Sequence, residues 1–160
     1  MQLIFEPLDT IVVRTLRAGG PDANGQPAEH HIARGAGNPC RHCLDMVAEG
    51  RGMLILAHRP FPAPQPYAEI GPIFLCADDC PAWRPPVDGA LPPILRSSPD
   101  YLLKGYTADH RIAYGTGKIV GQSRIADYAA QVLADPAIAF VDVRSARNNC
   151  YQLRIRRAAH

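Results

Sequence analysis

The chain has 160 residues, 47% hydrophobic and 20% charged, the balance of a soluble globular domain able to bury its own core. A formal net charge of +2 argues against nucleic acid or an anionic membrane as the partner. No apolar run approaches the ~20 residues of a spanning helix. The opening Met1-Gln-Leu-Ile-Phe-Glu lacks the basic region and apolar core of a secretory signal, so a cytoplasmic location is expected.

In chain order, Gln2 to Phe5 reads as a short strand, and a helix follows with Asp9 or Thr10 as N-cap and Gly19-Gly20 as its stop. Residues 19–39 are rich in Gly, Pro, Asn and His and read as one long loop, with His30 and His31 exposed on it. Cys43-Leu44, Val47 and Ala48 fit one or two helical turns closed by Gly50 and Gly52. Met53 to His58 is a buried strand, Phe61 to Tyr67 is proline-broken and irregular, and Gly71-Pro72 turns the chain into a strand at Ile73 to Cys76. Cys80 to Pro93 is a second proline-rich surface segment.

Tyr101 to Tyr106 and Arg111 to Tyr114 are short strand expectations, with Ile119-Val120 a continuation. Gly115-Thr-Gly117-Lys118 lacks the spacing of a phosphate loop and reads as a turn. Ser123 is the expected cap of the best helix, in which Ile125, Tyr128, Ala129, Val132 and Leu133 share one face and Asp135-Pro136 ends the run. Ile138 to Val143 and Cys150 to Ile155 form strands around a hairpin loop at residues 144–149. In the last strand Tyr151, Leu153 and Ile155 alternate with Gln152, Arg154 and Arg156, which predicts one buried and one wet face.

Together the elements describe a single α+β domain over 1–160. It has a largely antiparallel sheet, one well-defined amphipathic helix at about 123–134, and long proline-rich loops.

Four of the five cysteines form two tight pairs inside the segment 38–82, Cys40-Arg-His-Cys43 and Cys76-Ala-Asp-Asp-Cys80. Zinc takes soft thiolates at ~2.3 Å, and a close pair supplies one edge of its tetrahedron. Cys40, Cys43, Cys76 and Cys80 are therefore candidate ligands of a zinc ion, with His42 and His58 as substitutes. A zinc knuckle usually places Gly after its second cysteine, whereas Leu44 follows Cys43 here. Buried unligated thiols are the plain alternative. A third is redox chemistry, in which the CxxC opens a helix whose N-terminus lowers the thiol pKa. The residues before Cys40 cannot form the central strand that a thioredoxin-like fold requires.

Arg144, Arg147 and Asn149 lie in one short loop and are candidate anion-binding residues, since arginines grip carboxylate or phosphate bidentately. Solvated loop charges are the alternative.

Three segments carry a family resemblance: Asn38-Pro-Cys-Arg-His-Cys-Leu44, Tyr67-Ala-Glu-Ile-Gly-Pro-Ile-Phe74 and Val143-Arg-Ser-Ala-Arg-Asn-Asn-Cys150. They resemble the bacterial family of domains of unknown function labelled DUF1203, over about residues 1–157. The resemblance implies a cytoplasmic bacterial domain and assigns no reaction, substrate or cofactor. It also implies that a full four-cysteine set is held by a subset of the family.

The expected function is a binding module for a small molecule or protein, clipped by a structural zinc site, because four thiolates close the coordination sphere. The alternatives are an enzyme acting on a small anion with an arginine-lined pocket and a reactive Cys40, and a CxxC thiol redox protein.

Overall fold

A computed structural model describes residues 1–158; residues 159 and 160 of the expected domain, His160 included, lie outside the described residues. The order is β1 (Leu3–Glu6), α1 (Thr10–Arg17), β2 (Glu29–Ile32), β3 (Gly52–His58), β4 (Gly71–Cys76), β5 (Asp100–Thr107), β6 (Lys118–Gly121), α2 (Ile125–Leu133), β7 (Ile138–Ser145) and β8 (Tyr151–Arg157). All pairings between these strands are antiparallel, in a five-stranded sheet β1-β8-β7-β5-β6 and a three-stranded sheet β2-β3-β4. The fold is α+β. Neither helix is long and apolar enough to cross a membrane.

Each sheet has its own helix. Asp9 caps α1, its carboxylate accepting from the N–H groups of Ile11 at 2.8 Å and Val12 at 3.2 Å. Val13 and Leu16 then pack with Leu54, Leu56, Ile73 and Leu75 of the small sheet. On the large sheet, Ile125, Ala129, Val132 and Leu133 of α2 meet Leu103, Val141, Val143, Leu153 and Ile155. Ser123 does not cap α2: residues Gln122–Arg124 form a 3-10 turn that leads into it.

The loop expected at 19–39 contains the edge strand β2, whose residues are all exposed, so no alternation marks it. Asp22 orders the approach, accepting from the backbone N–H of Ala57 and Asn24 at 2.8 Å and of Gln26 at 3.0 Å. The helical turns expected at Cys43 to Ala48 are absent. Residues 38–47 instead fold back on themselves, with Pro39 bridged to Met46 and Cys40 N–H donating to Asp45 O at 2.8 Å. Arg111 to Tyr114 is no strand and offers one bridge, Tyr106 to Ile112.

The large sheet also departs from the one-face expectation. Gln152 and Arg154 are both buried, Arg154 beneath Phe61 and Pro60, and Gln152 in the cleft beside Phe74. The covered layer is ionic and aromatic. Arg154 holds Asp142 with Nε–Oδ1 at 2.7 Å and Nη2–Oδ2 at 3.0 Å, and lies 3.6 Å from the Phe140 ring centroid.

Candidate metal centre

The antiparallel β3–β4 hairpin ends at Cys76, opposite Met53, and a parallel bridge sets Cys40 beside Phe74. Two segments far apart in sequence thereby bring four thiols together. The Sγ atoms of Cys40, Cys43, Cys76 and Cys80 all lie within 4.8 Å of one another, with Cys40–Cys80 and Cys43–Cys76 both at 4.0 Å. A tetrahedron of sulfurs around zinc at ~2.3 Å has edges of about 3.8 Å. The quartet therefore needs a contraction of less than about 1 Å to close on an ion.

The knuckle that presents Cys40 and Cys43 contains Leu44 at φ 53°, the left-handed conformation that glycine adopts freely. The side chain explains its tolerance. Leu44 is fully buried in the large core, and its carbonyl accepts from Ile94 N–H at 2.8 Å.

Donors surround Cys80 and Cys40. Arg17 Nη2 donates to Cys80 Sγ at 3.1 Å and its Nε to Cys76 O at 3.0 Å. His42 Nδ1 lies 3.3 Å from Cys80 Sγ, and its Nε2 is 2.9 Å from Thr10 Oγ1. Cys76 N–H donates to Cys40 Sγ at 3.3 Å. His42 thus braces a thiol from the side, while His58 sits opposite Gly71 at the far end of the hairpin, away from the sulfurs.

Two thiolates 4 Å apart repel by about 4 kcal/mol at an effective dielectric constant of 20, so four cannot ionise together without a cation among them. Without one, protons are shared unevenly. Hydrogen bonds from Cys43 and Cys76 draw Cys40 down to about 6. Cys80 is drawn below the ordinary thiol range chiefly by Cys40. Cys43 and Cys76 are pushed up, each chiefly by its hydrogen bond to Cys40. No helix begins at Cys40, so the helix-terminus route to a reactive CxxC thiol has no structural basis here.

The arginine set is only partly gathered. Arg144 lies in β7 rather than in the loop, buried, with Nη1 at 2.8 Å from Glu69 Oε2 and 3.1 Å from Asn149 O. Arg147 is exposed and pairs with Asp100 at 2.6 Å. Arg144 and Asn149 meet; Arg147 does not join them and turns to Asp100. Sequence reasoning missed Arg17 at the Cys80 sulfur and Thr10 behind His42, and no local spacing could have flagged a partner 63 positions from Cys80.

A family model described as a protein of unknown function (DUF1203) matches residues 37–157. The chain belongs to that family, and the match includes all four clustered cysteines. No curated protein and no solved structure matches the chain.

Proposed function

We propose that this DUF1203 protein is a binding module whose Cys40, Cys43, Cys76 and Cys80 hold one structural zinc ion. The observation that carries the proposal is the convergence of four Sγ atoms within 4.8 Å from two segments that share no regular element. Four thiolate ligands leave no position for water, which suits a structural role rather than catalysis. The ion clips the 38–47 fold-back to the end of β4, where Cys40 is fully buried and so badly placed to act as a nucleophile. A bound Zn(Cys)4 unit carries two negative charges, and Arg17 stands beside it to offset them. A reducing cytoplasm, where thiols persist, is the fitting compartment.

Elemental mass spectrometry of protein purified without added metal or chelator, paired with a thiol count, tests this. The expected result is one zinc per chain, with Cys150 alone titrating until chelator releases the other four thiols. Metal-free protein with five freely titrating thiols would reject it.

A further inference from the structure

Arg41 lies between two of the clustered cysteines, yet its side chain turns away from the sulfurs toward β8. It is 3% exposed. Its Nε donates to Tyr151 O at 2.8 Å and its Nη1 to Pro39 O at 2.5 Å. Among the described residues no carboxylate pairs with it. Buried cations are ordinarily matched by an anion, because a lone charge removed from water costs several kcal/mol. Here the described residues supply no carboxylate.

Arg41 lines a cavity of about 280 Å³ between the small sheet, the start of β8 and the loop after β7. Arg147, whose guanidinium pairs with Asp100 at 2.6 Å, is the second cation on its wall, and among the described residues no Asp or Glu lines the cavity itself. Ser98 and Asn148 add neutral polar groups, and Phe74 adds an apolar surface. Gln152, also on the wall, is buried with its Oε1 lacking any hydrogen-bond partner. A buried cation without a carboxylate, an apolar patch and an orphaned acceptor together describe what is missing.

We propose that this cleft binds a small organic anion. Its carboxylate or phosphate meets Arg41 and competes with Asp100 for the exposed Arg147, its apolar body rests on Phe74, and its own O–H or N–H donates to Gln152 Oε1. The site goes beyond the metal reading and shares with it only the backbone between Cys40 and Cys43. Were Arg41 no more than a brace from the cysteine knuckle to Tyr151, the cleft would show no preference for charge.

The test is a 1H–15N NMR titration with three probes: mandelate, which is anionic, aromatic and carries an O–H; uncharged phenylethanediol; and inorganic phosphate. Mandelate is expected to shift the amides of Arg41, Phe74, Ser98 and Gln152, and to bind at least tenfold more tightly than either control. Arg147→Ala, a change at an exposed side chain that leaves the fold intact, is expected to weaken mandelate about tenfold. Silent cleft amides, an equal response to phenylethanediol, phosphate matching mandelate, or an unaffected Arg147→Ala variant would each overturn the proposal. Zinc is quantified in the same sample. Mandelate bound by zinc-free protein rejects the metal reading alone, and a silent cleft in zinc-loaded protein rejects this one alone.

Discussion

Arg17, in the last turn of α1, donates from Nη2 to the Sγ of Cys80 at 3.1 Å, across 63 positions of sequence. The same guanidinium reaches Cys76 O through Nε, so one side chain spans both ends of the second cysteine pair. A cation donating to a thiolate raises the stability of the charged ligand and fixes its direction. Partners of this kind are generally worth 10–100-fold in metal affinity. Arg17→Ala is therefore expected to weaken zinc about tenfold or more, measured by competition with a chromophoric chelator. Arg17→Lys restores part of the loss, because it keeps the charge and loses the second contact. Equal affinity in all three proteins would show that the contact is incidental.

Leu44 sets two effects of known sign against each other. Its left-handed backbone costs about 1–2 kcal/mol that glycine avoids. Its buried side chain contributes more, since Leu→Ala in a core costs about 2–5 kcal/mol. Leu44→Ala is expected to destabilise by about 3 kcal/mol, losing packing and keeping the strain. Leu44→Gly removes one more carbon yet is expected to be the more stable of the two variants by about 1 kcal/mol. Denaturant midpoints in both proteins check that order.

Much of the fold was legible wherever apolar periodicity is strong. α2, β3, β4, β7 and β8 stand where the pattern of Ile, Val and Leu places them. The two close cysteine pairs were legible too, because the spacing within each pair is local. What escaped was non-local or lacked a pattern. β2 is exposed on both faces and carries no alternation. Val47 and Ala48 mimic a helical turn, while the hydrogen bonds of Cys40 to Asp45 and Val47 to Asn38 close a fold-back. The alternation of β8 was real, but its polar half faces a second covered layer rather than water.

That layer makes its own prediction. Asp142 is fully buried, and its only charge partner among the described residues is Arg154, which also donates to Pro60 O at 2.8 Å. Removing one member of a buried pair leaves the other uncompensated and costs about 3–5 kcal/mol. Asp142→Asn keeps an acceptor and loses the charge, so about 3 kcal/mol is expected, read as a lower denaturant midpoint at unchanged slope. Asp142→Leu, which leaves Arg154 with no acceptor in the pair, is expected to exceed it. Equal stabilities would mean that water reaches the pair.

His58 gives the chain an acid-side stability slope. Burial first, then the positive charges of Arg41, Arg154, Arg144 and Arg59, push its pKa from 6.5 down to about 4. Its ring also packs on Tyr151, at 5.3 Å between centroids. Above pH 6.5 the imidazole is neutral in both folded and unfolded chains, and its contribution is fully present. As pH falls from 6.5 toward 4, the unfolded chain binds a proton that the folded chain refuses, so stability declines across that window. The loss amounts to about 2 kcal/mol once partial exposure is allowed for. Thiolate ligands also gain protons on the acid side, so the comparison must be made between two proteins with equal metal content. His58→Gln fills a similar space without titrating, and its denaturant midpoint is expected to fall less steeply between pH 6.5 and 4 than that of the wild-type chain. Parallel midpoint curves would show that His58 takes up its proton in the folded protein as readily as in the unfolded one.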